Sequence, residues 1–253
     1  MSLKLTLKEY LDAMHKVASI YFNNLKSNKQ ALDYLYSRGL TDEEIDKYYI
    51  GYADADPYSL STLLDQDFKQ EHFETLGMFI NQEGRFIDRF AGRIIFPVCD
   101  VQGNIVSFCG RGFEGGISKY LNMPDSLYAG KKFNLFALNH AIDSIYSKHH
   151  VFLVEGLLDC VAMHRTGFKN AIGLLGTTVT RSQLSDIRLM TDIVYILLDG
   201  DAAGQTGALT VKKVCEDIGF ITHILSLPIG YDPDSLLKAY GPHRFREFIL
   251  AQM

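Results

Sequence analysis

Val151-Phe152-Leu153-Val154, Ala171-Ile172-Gly173-Leu174-Leu175, Ile193-Val194-Tyr195-Ile196-Leu197-Leu198 and the run from Ile221 to Leu227 are four short apolar segments, and helical sequence follows each. The first runs into Glu155-Gly156-Leu157-Leu158-Asp159, and its helix reaches about Thr166. The second precedes Thr180-Arg181-Ser182-Gln183, a capping box for a helix to about Met190. The third meets Asp199-Gly200-Asp201, with a helix from about Ala202 to Ile218 stopped by Gly219. The fourth leads to Asp232-Pro233-Asp234. Fully apolar strands alternating with helices predict a mostly parallel sheet covered on both faces. Ligands of such sheets bind beyond the carboxyl ends of the strands, where Glu155, Gly176, Asp199 and Asp232 fall.

Taken singly, the acids have plain readings. Asp199-Gly200 suits a turn, Asp232-Pro233 a helix start, and Glu155 a helix N-terminus. Three such sites at three strand ends of one sheet favour a shared explanation. If the backbone stays extended past Leu198, Asp199 and Asp201 project to one side and repel unless a cation lies between them. All-oxygen donors favour Mg²⁺ or Mn²⁺ over zinc. Gly200 and Gly204 leave room for backbone or phosphate to come close.

Working outward, the 253 residues are 47% hydrophobic, enough for one large core or two smaller ones. No apolar run approaches the ~18 residues that span a bilayer, and the start carries no signal pattern, so a cytoplasmic protein without a membrane partner is expected. The four cysteines form no C-x-x-C pair and read as reduced thiols, with no zinc expected. A net charge of −5 argues against non-specific coating of nucleic acid. The charge is uneven, however. Arg85 to His140 holds seven Lys/Arg against four Asp/Glu, and Val151 to Tyr240 holds ten acids against seven bases.

The first part of the chain reads as helices over Leu5–Phe22, Lys29–Arg38 before Gly39, and a short one opened by the Thr41/Glu44 capping box. Leu60 to Phe73 also looks helical. Ile94–Val98 and Ile105–Phe108 read as a hairpin around Gly103, with Pro97 marking its arm as an edge or a break. A helix over Leu135–Ser147 and a solvated Lys148-His149-His150 linker follow. The predicted division is 1–148, a mixed α+β subdomain, and 149–253, the acidic α/β unit.

Glu155-Gly156-x-x-Asp159 followed by Asp199-Gly200-Asp201-x-x-Gly204 resembles the TOPRIM domain of bacterial primases, type IA and II topoisomerases and some nucleases. Four flanking segments are similar to the DnaG-type bacterial primase catalytic core: Tyr34-Leu35-x-x-Arg38-Gly39-Leu40, Arg93-Ile94-Ile95-Phe96-Pro97-Val98 with Asp100 and Gly103, Phe108-x-Gly110-Arg111 to Lys119-Tyr120-Leu121-Asn122, and Asp232-Pro233-Asp234. The resemblance implies a parallel four-stranded TOPRIM sheet packed on the N-terminal subdomain. It also implies a DNA-directed RNA polymerase making short RNA primers from NTPs on single-stranded DNA in replication. Glu155, Asp199, Asp201, Asp232 and Asp234 match the positions for two or more Mg²⁺ or Mn²⁺ ions. Glu155, Asp199 and Asp201 match the catalytic acids, with Asp159 supporting; Glu155 is either a metal ligand or the proton acceptor. Arg38, Arg89, Arg93, Arg111, Lys119, Tyr120, Asn122 and Lys131 match the template- and nucleotide-binding region. The family's zinc-binding domain, C-terminal helical bundle and helicase-binding module have no counterpart here, which implies a fragment or a shortened relative; replicative helicase coupling would use the module this chain lacks. The alternatives are a TOPRIM nuclease, for whose ATP-coupled kind the G-x-x-x-x-G-K-[ST] loop is absent, and a non-catalytic single-strand-binding module.

Overall fold

The structure, a computed structural model, describes residues 5–65, 68–113, 118–124, 128 and 135–253. The chain divides into two compact units, 1–130 and 131–253.

In the first unit, α1 (Leu7–Ser27) begins at Thr6, whose hydroxyl accepts from Glu9 N–H while Glu9 accepts from Thr6 N–H, a capping box. It runs five residues beyond the predicted end. Helices α2 (Lys29–Ser37) and α3 (Asp42–Lys47) follow, with Gly39 at φ 83° between them and the predicted Thr41/Glu44 box in place. The stretch from Leu60 to Phe73 is two short helices, α4 (Ser59–Leu64) and α5 (Gln70–Leu76), rather than one. An antiparallel sheet has the order β1 (Gly51–Tyr52), β4 (Ile94–Cys99), β5 (Ile105–Arg111), β6 (Tyr120–Asn122). A separate hairpin, β2 (Phe79–Gln82) with β3 (Arg85–Asp88), was not foreseen. Pro97 does not end β4, and the strand, interior over Ile94 and Ile95, is an edge where the proline stands. The proline is accommodated because β1 pairs only with Ile94 and Ile95 and stops short of it.

Tyr10, Met14, Val17 and Tyr21 of α1 bury one helical stripe against Phe73, Phe90 and Phe108, each large side chain contributing roughly 2 kcal/mol. Inside this core the Tyr21 hydroxyl donates to Asp88 Oδ2 (2.8 Å), and Asp88 Oδ1 accepts from Phe90 N–H (2.8 Å). Burial pushes the Asp88 carboxyl from 3.8 up to about 6, against the pull of both hydrogen bonds. A carboxyl raised on folding lends stability that is full below its unfolded value and is lost as pH rises through its folded value. Asp88→Asn removes this dependence. The unfolding free energy of the native chain relative to the variant is therefore expected to fall by about 3 kcal/mol between pH 3.5 and pH 7, measured by urea denaturation; parallel curves would refute it.

Early in the second unit, the Phe136 backbone exchanges two hydrogen bonds with Gly173, and α6 (Leu138–Lys148) follows. Strands β7 (Val151–Val154), β8 (Ala171–Gly173), β9 (Ile193–Leu197) and β10 (Ile221–Ile224) form a wholly parallel sheet in the order β10-β9-β7-β8. Between them run α7 (Leu157–Arg165), α8 (Arg181–Arg188) and α9 (Ala202–Glu216). Register places Phe152, Tyr195 and His223 side by side on neighbouring strands, their rings stacked with centroids 5.3 and 5.1 Å apart. His150, expected as a solvated linker residue, is half-buried against Phe152 and Tyr195.

The last helix, α10 (Pro233–Leu250), kinks at Gly241 (φ 74°), and Pro242 opens its second half. Phe245 and Ile249 bury that half, and Arg246 donates to the Thr166 carbonyl. Among the described residues no helix is long and apolar enough to cross a membrane. The four cysteines are free; Cys109 stands opposite Phe96, and burial pushes the Cys99, Cys109 and Cys215 thiols up to about 12.

Candidate active site

Glu155 follows β7 and Asp199 lies two residues beyond β9; the two strands are adjacent, with Val154 registered on Leu197. Gly200 donates its N–H to the Tyr231 carbonyl (2.8 Å), and Tyr231 N–H bonds Pro228. A Cβ on Gly200 would sit 2.3 Å from the Pro228 carbonyl oxygen. This close approach lays the 228–231 turn against the Asp199–Asp201 loop, so that Asp232 and Asp234 begin their helix beside it. Gly204 is as tightly held, its missing Cβ falling 2.2 Å from the Asp199 carbonyl. Both glycines therefore admit backbone rather than a ligand.

Most of the acids also start helices. Asp201 Oδ1 accepts from Gly204 N–H (2.7 Å) at the head of α9. Asp232 Oδ1 accepts from Ser235 N–H (2.6 Å), and Ser235 Oγ returns a bond to Asp232 N–H (2.9 Å), opening α10. Asp159 Oδ2 accepts from Gly156 N–H (3.0 Å) in α7, while its Oδ1 accepts from Asp234 N–H (3.3 Å), tying the starts of α7 and α10 together. Asp234, 2% exposed, pairs with Lys238 one turn later (3.0 Å). The positive N-terminal ends of α9 and α10 thus meet negative side chains.

Asp159 reports the field these groups create. Burial first, then the charges of Asp232, Asp199 and Asp234, push its carboxyl up to about 8, against the Asp234 N–H bond. Acids from three strand ends share one electrostatic neighbourhood with excess negative charge. Their donor set is carboxylate oxygen throughout, which fits a hard divalent cation. Among the described residues no three such groups already converge as a cage; the capping bonds hold several of them to backbone instead.

In the first unit, register brings Arg111 level with Ile94 and Tyr120, so Arg93, Arg111, Lys119, Tyr120 and Asn122 gather at one end of the β4-β5-β6 sheet. Arg111 is 5% exposed. Its Nε donates to the Tyr34 hydroxyl (2.6 Å) and its Nη1 to the Tyr120 hydroxyl. Lys119 Nζ lies 5.7 Å from the Tyr120 ring centre, so two cations flank that ring. Arg93 is buried and clamps Ser118, Nη1 to the carbonyl (2.7 Å) and Nη2 to Oγ (3.2 Å). Gly110 makes this possible: a Cβ there would meet Phe90 at 2.6 Å and Arg93 Cδ at 2.9 Å. Half-buried Arg38 caps α2, its N–H bonded to the Tyr34 carbonyl. Arg89 is half-buried, and its Nε has no hydrogen-bond partner among the described residues. Asn122 lies on β6 opposite Cys109. Lys131 lies outside the described residues.

Three participants were not singled out by sequence. Tyr34 stood only as part of a pattern; Lys238 was detectable from its i,i+4 spacing to Asp234; the turn at Pro228 has no sequence signal pointing to Gly200.

A parallel sheet in the order β10-β9-β7-β8 with carboxylates beyond its strand ends defines the second unit as a Toprim domain, and residues 152–237 match the family profile described as Toprim-like. Residues 20–142 match the DNA primase catalytic core, N-terminal domain. The chain is 30% identical to a DNA primase domain from Pseudomonas aeruginosa, covering 96% of this chain and 78% of that one, with a TM-score of 0.88. It is 32% identical over 238 residues to the DNA primase of Aquifex aeolicus. A structure described as the DnaG primase catalytic domain bound to ssDNA superimposes with a TM-score of 0.84 at 27% identity, covering 96% of this chain and 78% of that one. The chain belongs to the bacterial DnaG-type DNA primase catalytic-core family. The Aquifex match covers 94% of this chain but 48% of that protein, and other curated relatives are spanned over about two fifths of their length.

Proposed function

We propose that this chain is the catalytic core of a DNA primase, a cytoplasmic nucleotidyltransferase that copies single-stranded DNA into short RNA primers. The observation that carries this is the Gly200 N–H bond to the Tyr231 carbonyl, together with the Asp234 N–H bond to Asp159: they bring the loop of Asp199 and Asp201 beside the helix start of Asp232 and Asp234, a set of carboxylates suited to divalent cations. Glu155, Asp199, Asp201, Asp232 and Asp234 would hold Mg²⁺ or Mn²⁺. Bound there, such ions would lower the pKa of the primer 3′-hydroxyl and neutralise the triphosphate. The hydroxyl oxygen attacks the α-phosphorus of the incoming NTP, a new phosphodiester forms, and pyrophosphate leaves. Asp159 orders the site by joining the starts of α7 and α10, and Glu155 is either a ligand or the acceptor of the hydroxyl proton.

The first unit would hold template and nucleotide phosphates. Arg38, Arg89, Arg111 and Lys119 grip backbone without reading sequence, in keeping with the superimposed DnaG catalytic domain that is bound to ssDNA. Arg93 serves that surface by fixing the 118 segment, and Tyr120 offers a ring beside two cations. Lys131 belongs to the same proposed set.

The test is incubation with single-stranded DNA, labelled NTPs and Mn²⁺, in which short RNA is expected. Tight DNA binding with no extension even of an annealed 3′ end would favour a non-catalytic module. Cleaved DNA would favour a nuclease.

A further inference from the structure

We propose that Tyr34 is a positioning residue for Arg111, setting its guanidinium to receive a nucleic-acid phosphate; this rests on reading Arg111 as a phosphate-binding group. Arg111 is almost wholly buried, yet no carboxylate pairs with it among the described residues. Its two hydrogen-bond partners there are neutral phenols, Tyr34 on α2 and Tyr120 on β6, whose ring centres lie 5.6 and 4.9 Å from its Cζ.

A buried guanidinium is costly to leave without compensation. A carboxylate partner would hold it and cancel its charge. Two phenolic oxygens hold it and leave the charge intact for an incoming anion. Their bonds occupy Nε–H and one Nη1 hydrogen, leaving Nη2 and the second Nη1 hydrogen of the five-donor fork for phosphate oxygens. Tyr34 is itself fixed. Its ring packs on Phe113 (5.5 Å), which meets Tyr52 edge-on (6.1 Å), so the hydroxyl has a set position on α2. Arg38, one turn on, hydrogen-bonds the Tyr34 carbonyl through its backbone N–H. One helical turn therefore carries both an arginine of the binding set and the hydroxyl that aims another.

Tyr34→Phe keeps the ring and its packing and deletes only the hydroxyl. The 253-residue chain and this variant are titrated with a fluorescent single-stranded oligonucleotide in EDTA over a range of salt concentrations. The variant is expected to bind about tenfold more weakly, with a log Kd against log salt slope shallower by about 0.7, the share of one phosphate on a single strand. Loss of packing alone would not change that slope. In an Arg111→Gln background, Tyr34→Phe is expected to cost nothing further. Unchanged binding by Tyr34→Phe while Arg111→Gln is weakened, or a full tenfold loss that persists in the Arg111→Gln background, overturns the positioning role alone. If Arg111→Gln itself binds like the native chain with the same slope, the phosphate-binding reading falls and the proposal with it.

Discussion

Primer synthesis by Asp199→Asn is expected to fall about 10³-fold, equivalent to ~4 kcal/mol of transition-state stabilisation, while the protein remains folded. Asparagine preserves the shape of the side chain and removes one of the charges that raise Asp159. Relief of that repulsion means the variant should melt no lower than the native chain in EDTA. The contrast appears on adding metal. Mg²⁺ or Mn²⁺ at about 100 times its dissociation constant stabilises a site by ~2.7 kcal/mol, and most of that gain is expected to vanish in the variant. Thermal melting with and without metal separates loss of a ligand from loss of the fold. Undiminished synthesis would remove Asp199 from the site.

Gly200→Ala is expected to damage stability and activity together. Gly200 does not lie in the left-handed region, so alanine suits its backbone and the cost comes from contact. The new methyl carbon would lie 2.3 Å from the Pro228 carbonyl oxygen, 3.1 Å from its carbon and 3.1 Å from the Tyr231 carbonyl. All three are backbone atoms with no side-chain torsion to relieve them. The 228–231 turn must move, carrying Asp232 and Asp234 from the neighbourhood of Asp199. Overpacking of this kind costs about 3 kcal/mol, which lowers the melting temperature by roughly 6–12 °C in a chain of this size. Primer synthesis should fall at least about 100-fold, and metal-induced stabilisation should shrink with it. A variant that melts and responds to metal like the native chain would show that the turn yields freely.

The second unit was largely legible because its signals are local. Apolar runs at 151–154 and 193–197 and the Thr180/Gln183 box each depend on residues a few positions apart. The strands came out shorter than predicted at their ends: Leu174 and Leu225 donate the last bonds of the ladder, and the apolar Leu175 and Leu227 lie beyond it. The β2–β3 hairpin was missed because Asn81 and Gln82 are exposed and lack strand character. The helix after the fourth strand was legible at its Asp232-Pro233 start but not in its extent, because the Gly241 kink divides it and one period does not describe both halves. Within the site, residue types and spacing pointed to the acids. The pairing of Tyr34 with Arg111 spans 77 positions, and no periodicity carries information over that distance.

The double duty of Asp201, Asp232 and Asp159 has a consequence for how this protein can change. Each secures the backbone of a helix start, Asp201 and Asp232 while contributing charge and Asp159 while joining the starts of α7 and α10. Replacement by alanine removes a helix cap worth about 1 kcal/mol along with the charge, whereas an amide keeps an acceptor for the same N–H. The acids of the proposed reaction are thus insured by the architecture: drift that erodes the chemistry also loosens the scaffold, and the mildest inactive descendants would carry asparagine at these positions.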